Sequence, residues 1–274
     1  MPLFTIDHKK CHRDGLCVME CPGKLIEIVE EEGFPTPIAE AETLCINCGH
    51  CVAICPHGAL SLNTMSPKDC PPVHKELAFS AEQGTHFLRS RRSTRNYKEK
   101  KVPRDILTQL IDIARYAPSG HNLQPVHWLV ITDPEEVQRL AGLVADWMRS
   151  LINQGAEIAL TYHMDRVVNA WDNGVDRILR SAPHLIVAHG LKTLLPVQGA
   201  CTIALTYLEL AAASFGLGTC WAGYFNAAAN FYPPLSEVLA LPPNHLPYGA
   251  MMIGYPKYTF PRIPLRNTPK IIWR

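Results

Sequence analysis

The sequence predicts a chain in two parts: a small cysteine-rich unit that folds around metal, then a sheet covered on its faces by helices. Seven of the ten cysteines fall between Cys11 and Cys55. They form two similar runs, each followed by a short apolar segment (25–29 and 59–62), which reads as an internal duplication. So small a unit buries too little core to hold itself together, and bound metal has to supply folding energy. Beyond this region apolar residues recur with helical spacing in long segments and as short strand-like runs between them, the alternation of a helix-covered sheet.

The composition agrees. Hydrophobic residues make up 47% and charged residues 19% of 274, with a formal net charge of +1. That is globular, and it excludes a polybasic nucleic-acid face or an acidic tail. A chain this long needs no disulfide scaffold, and MPLFTIDHKK is not an apolar leader. Clustered thiols in a reducing, cytoplasmic setting bind metal. The longest apolar stretch, 197–217, holds Gln198 and Glu209 and ends at Gly216 and Gly218, so it reads as a buried helix and not a membrane span.

The expected organisation is residues 1–63 as the metal unit, 64–84 as a linker stiffened by Pro67, Pro71 and Pro72, and 85–274 as the larger domain. Cys70, in the linker, fits neither run and reads as a free thiol. Helices are expected over 80–90, 103–116 (apolar face Ile106, Leu107, Leu110, Ile111, Ile113), 134–151 with Asp133 as N-cap, 156–180 and 196–215. Strands are expected over 126–132, 185–189, 219–224 and 248–254, and an extended basic tail over 256–274.

The second cysteine run reads Cys45-x2-Cys48-x2-Cys51-x3-Cys55-Pro56. Its gaps match the bacterial iron–sulfur spacing, in which the fourth cysteine reaches the other cluster; a zinc ribbon would separate its pairs by a longer span. On the same template the first run reads Cys11-x2-Asp14-x2-Cys17-x3-Cys21-Pro22. Crossing the fourth cysteines gives one set of Cys45, Cys48, Cys51 and Cys21, and another of Cys11, Cys17, Cys55 and Asp14. Two readings of Asp14 stand side by side. As a harder ligand than thiolate it makes one corner labile, with a [3Fe-4S] form beside [4Fe-4S]; or it only caps a turn before Gly15. Residues 1–63 resemble two-cluster bacterial ferredoxins, which implies paired hairpins, short helices and low-potential one-electron transfer.

Four later segments carry the rest. In 91–95, Arg91, Arg92, Ser93 and Arg95 suit a phosphate. In 117–125, Gly120 permits close backbone approach to a planar ring, and Ser119, Asn122 and Gln124 can hydrogen-bond carbonyl and imide edges. Small residues in 216–223 leave backbone N–H groups open to a ring edge, and 254–257 leads to Arg262 and Arg266. In that order RRSTR, APSGHNLQP, GLGTCWAG and GYPK resemble the nitroreductase family over about 85–274. The resemblance implies an α+β fold and a homodimer with FMN at each subunit interface. Arg91, Arg92, Ser93 and Arg95 would then hold phosphate, ribityl and pyrimidine edge. Pro118, Ser119, Gly120 and Asn122 would cover the ring from the second subunit. Ala222 and Gly223 would lie by its reactive edge, and Arg262 and Arg266 would close on the phosphate. Two positions depart from the family: Val126 replaces an aromatic residue, and Ala222 an acidic one.

The expected function is an FMN oxidoreductase of anaerobic type. It would take electrons through two iron–sulfur clusters and reduce a nitro, quinone or enone-like acceptor. The alternatives are an NAD(P)H-oxidising flavoprotein exporting electrons through its clusters to a partner protein, and a non-catalytic redox sensor. His121, Tyr162, His163, Arg166 and Trp171 are candidate substrate contacts, and His121 or His163 a candidate proton donor. Cys201 and Cys220 read as buried small hydrophobes.

Overall fold

The computed structural model describes residues 3–30 and 33–274. Contacts divide the chain into two compact units, Met1–Ala78 with His121–Leu123, and Phe79–Gly120 with Gln124–Arg274.

In the first unit β1 (Phe4–Ile6) pairs antiparallel with β4 (Leu60–Leu62), and β2 (Ile26–Glu27) with β3 (Thr36–Pro37). Between them run the short helices α1 (Leu16–Glu20), α2 (Ala41–Leu44) and α3 (His50–Ile54). The buried core is Phe4, Cys17, Ile26, Val52, Leu60 and Leu62. So few apolar side chains offset little of the chain's ordering entropy, as the sequence requires of a metal-dependent unit. The duplication is real in the backbone. At one constant offset, Arg13 and Asn47 (φ 60 and 51), Gly15 and Gly49 (φ 71 and 76), and Lys24 and Gly58 (φ 52 and 56) are left-handed in pairs. The segment expected as a linker is partly absorbed here: Met65 and Cys70 pack against the core.

The second unit is built on a four-stranded antiparallel sheet in the order β5-β6-β8-β7. Its elements in sequence are α4 (Ala81–Ser90), α5 (Arg104–Ala114), β5 (His127–Ile131), α6 (Pro134–Asn153), α7 (Glu157–Thr161), α8 (Met164–Asp172), β6 (His184–Leu191), α9 (Val197–Ser214), β7 (Gly218–Trp221), α10 (Gly223–Phe231), α11 (Pro233–Leu239) and β8 (His245–Gly254). Neighbouring residues on a strand point to opposite faces. On β6, Leu185 and Val187 join the core formed with α6, α8, α10 and α11, while Ile186 and Ala188 join that formed with α5 and α9. Both faces are covered, so 185–188 of β6 and 250–253 of β8 read as unbroken apolar runs.

Helix ends follow from local chemistry. Ser80 and Gln83 form a reciprocal capping box on α4, and Asp133 accepts from Glu135 N at the start of α6. Two expectations fail. The single helix over 156–180 breaks into α7 and α8 and then a loop. His163 between them is left-handed (φ 48), Gly174 (φ 77) follows α8, and the Asp176 carboxylate accepts from Ile178 N, Leu179 N and Ser181 N. A side chain that satisfies three backbone donors competes with the helix for them. The strand over 219–224 stops at Trp221, and the sequence GYFNAAANF, with weak periodicity, forms α10 instead.

Two histidines are buried in this sheet. His184 is 1% exposed; its Nε2 accepts from Val102 N at 2.7 Å, which leaves Nδ1–H to donate to Thr132 O at 3.2 Å. Burial lowers its pKa from the ordinary histidine value. His189 is pushed down to about 4 by burial first, then by His245 and His127. A lowered folded-state pKa means that the unfolded chain takes up the proton first. The contribution of His184 to stability is therefore complete above the unfolded pKa of about 6.5 and is lost as pH falls below it. Thermal melts between pH 7.5 and 5.5 should show Tm dropping toward acid, and His184→Gln should flatten that slope; an unchanged slope would count against the assignment.

Candidate redox sites

In the first unit Gly15 and Gly49 stand at the N-caps of α1 and α3 in left-handed conformations that favour glycine. These turns bring the sulfurs into two groups. Burial first, and then the nearby Cys48, Cys21 and Cys45, push the Cys51 thiol up to about 11. Burial also raises Cys17, and its close thiols are Cys11 and Cys55. Each group thus takes its last member from the other repeat. Backbone N–H groups point at three of the sulfurs: Leu25 N to Cys21 Sγ (3.3 Å), Ala59 N to Cys55 Sγ (3.3 Å) and Asn47 N to Cys45 Sγ (3.4 Å). Such donors can hydrogen-bond the sulfurs of a bound cluster. The thiol sets therefore fit a pair of iron–sulfur clusters. Asp14 stands exposed in the slot of the missing cysteine, and its Oδ1 accepts from Leu16 N at 3.1 Å.

In the second unit, segment 91–95 is stitched to the sheet. Thr94 N donates to Thr219 O (2.8 Å), Lys98 N to Tyr255 O (2.9 Å) and Lys257 N to Asn96 O (2.9 Å). The first and last of the four motif segments are thereby neighbours. Thr94 comes so close to β7 that a Cβ on Gly218 would lie 2.1 Å from its Oγ1 and 2.7 Å from its Cβ. The glycine is there because no side chain fits.

The arginines divide their work. Arg91 Nη1 binds Glu209 Oε1 at 3.0 Å, and Glu209 is buried on α9. Arg91 thus anchors a buried carboxylate through Nη1. Arg92 Nε is buried and has no hydrogen-bond partner. It belongs to a cavity of about 670 Å³ lined also by Arg89, Arg91 and Arg266. An orphaned donor among guanidinium groups fits a phosphate. Arg262 does not line this cavity.

Further along, Ser93 and Arg95 meet Cys220 and an arginine that the sequence did not single out, Arg180. Burial raises the Cys220 thiol, while Arg95, Arg180 and a hydrogen bond with Ser93 hold it down. Burial raises the Tyr97 phenol strongly; Cys220 adds to this, and Arg180 and Arg95 oppose it. The adjoining cleft, about 650 Å³, is lined by Arg95, Lys98, Arg177, Arg180 and Lys257 among others. Arg180 and Ser181 are consecutive left-handed residues (φ 61 and 49), fixed by the Asp176 turn. No periodicity could have marked Arg180, because the sequence reads as helix there. Ala222 N donates to Ala250 O, and Gly223 opens α10, whose first N–H groups have no intrahelical acceptor.

The loop between α5 and β5 is strained, with His121, Asn122 and Gln124 all left-handed (φ 51, 53 and 45). Ser119 Oγ accepts from Gln124 N (2.9 Å). Pro118, Ser119 and Gln124 line a small cavity of about 100 Å³, and a Cβ on Gly120 would press on Pro196. Asn122 Nδ2 donates to Asn47 O (2.9 Å) and Ile46 O (3.3 Å), so this residue belongs to the first unit and lies on the loop between Cys45 and Cys48. Tyr162, His163 and Arg166 are exposed around the junction of α7 and α8, where Arg166 N donates to His163 O (3.1 Å), whereas Trp171 packs into the core facing α6; His121 is exposed.

The chain matches the Nitroreductase family over residues 88–255 and a 4Fe-4S dicluster domain over 9–59. It is 26% identical over 199 residues to an NADH dehydrogenase of Thermus thermophilus, covering 67% of this chain and 92% of the relative. It is 26% identical over 183 residues to a Cr(VI) reductase of Pseudomonas sp., covering 65% and 70%. Its fold is similar to an FMN-bound nitroreductase from Bacteroides fragilis (TM-score 0.55, 22% identity, covering 69% of this chain and 98% of that one).

The two neighbouring arginines should behave differently when removed. Arg91→Ala strands a buried carboxylate and should lower stability by about 3 kcal/mol in denaturant melts. Arg92→Ala should leave stability nearly unchanged but weaken binding of inorganic phosphate at least tenfold, read by titration calorimetry. Separately, Gly218→Ala should destabilise by roughly 1–3 kcal/mol, since backbone and Thr94 must both give way.

Proposed function

The chain belongs to the nitroreductase family and carries a 4Fe-4S dicluster domain, and from that premise we propose an oxidoreductase that takes in electrons through two iron–sulfur clusters and uses FMN to reduce a small organic acceptor. Nitro, quinone and enone-like compounds are the acceptor classes. The observation that carries the reading is the crossed pair of thiol groups in the same chain as a cation-lined site with an orphaned guanidinium donor. FMN, when bound, supplies the exchange between one-electron and two-electron transfer.

The chain's own residues set the terms. Arg92 and Arg266, with Arg89 beside them, hold the phosphate by charge-assisted hydrogen bonds. Ser93 and Arg95 face the pyrimidine edge, and Arg95 with Arg180 stabilises negative charge there. The free N–H groups at the start of α10, next to Ala222, serve the reactive edge. Pro118, Ser119 and Gly120 cover the ring in a homodimer.

A second reading reverses the current, with NAD(P)H as donor and a partner protein as acceptor. The naming of a relative as an NADH dehydrogenase favours it. Among the described residues no helix is long and apolar enough to cross a membrane, so neither reading calls on a span. One experiment separates them. Anaerobically purified protein is mixed with a low-potential one-electron donor, and separately with NADH and NADPH, while flavin absorbance is followed. The relay predicts fast flavin bleaching with the one-electron donor, slowed at least tenfold by Cys48→Ser. Bleaching that is indifferent to Cys48 and fast only with a pyridine nucleotide selects the reverse current.

A further inference from the structure

One end of the larger sheet gathers three imidazoles that the redox sites do not use. His127 opens β5, His245 opens β8, and His189 lies between them on β6, directly opposite His127. The strand register shifts between Ala188 and His189, and an irregularity of this kind re-aims a side chain. The three rings form a triangle, with centroids 5.6 Å apart for His127–His189, 4.8 Å for His127–His245 and 5.1 Å for His189–His245. His189 Nδ1 and His245 Nδ1 stand 2.9 Å apart. Among the described residues none of the three forms an ion pair with a carboxylate.

Two ring nitrogens at this separation have room for one proton between them. They also match another occupant. With metal–nitrogen bonds of about 2.05 Å, tetrahedral ligand nitrogens stand about 3.3 Å apart. A shift of a few tenths of an ångström would let a cation replace the shared proton. His189 is 5% exposed and sheltered from competing water, whereas His127 is exposed and offers a way in.

We propose that His189 and His245 are ligands of a divalent cation of the zinc class, with His127 as the third ligand from the solvent side. Among the described residues no three such groups converge on one ion as they stand, so His127 must turn about its side-chain bonds. Imidazole ligands without carboxylates favour zinc, nickel or copper over magnesium or calcium. The bound cation ties β5, β6 and β8 together at one point, and because it binds the folded chain it raises stability by mass action.

The test uses the cluster- and flavin-loaded protein, dialysed against micromolar zinc chloride and then against zinc-free buffer. Zinc and iron per chain are measured, and melts are run with and without zinc. The wild type should keep one zinc equivalent more than His245→Gln, at equal iron, and only the wild type should gain Tm with zinc. His127→Ala, an exposed change that leaves the core intact, should weaken zinc binding at least about tenfold and stands in if His245→Gln folds poorly. Equal zinc retention by wild type and His127→Ala, or no retained zinc in the wild type, overturns the proposal.

Discussion

Thr94 occupies the space that a side chain at residue 218 would need. That contact sets the larger unit's chemistry, because it holds segment 91–95 flat against β7. Arg91 turns inward to the buried Glu209, Arg92 presents an unsatisfied donor, and Ser93 and Arg95 reach Cys220. The pairing of Tyr97 with Pro256 then carries the chain beyond β8 to the same place. A glycine with nothing on its α-carbon thus leaves the room that Thr94 needs against β7.

Much of the fold was legible because burial writes simple periods into sequence. The apolar faces of α5, α6 and α9 appear at helical spacing, and 185–188 of β6 and 250–253 of β8 appear as continuous apolar runs because helices cover both faces. What escaped was controlled by single residues acting on the backbone. Asp176 draws three N–H groups to itself and cancels a helix that the pattern around it suggests. In α10, short and rich in alanine, the apolar residues lack a stripe wide enough to signal a helix, although tertiary packing holds one.

The sites were legible in proportion to how far their chemistry depends on spacing. Cysteine gaps fix which sulfurs can share a cluster, so the groups around Cys51 and Cys17 follow from the sequence. Cations are harder to read. An arginine beside a buried glutamate and one beside an open cavity look alike in a string of letters, and Glu209 lies on a distant helix. Arg180 was invisible for another reason: its place depends on a turn that the sequence disguises as helix. The Asn122 amide donates to backbone carbonyls of the Cys45–Cys48 loop, a partner distant in sequence that no local pattern announces.

The exchange of sulfurs between the two cysteine repeats has an evolutionary corollary. Cys21 stands with the second repeat's thiols, and Cys55 with the first's. Neither copy is a spare of the other. A change at the last cysteine of either repeat therefore reaches the thiol group of the other, so the two copies cannot vary independently at those positions.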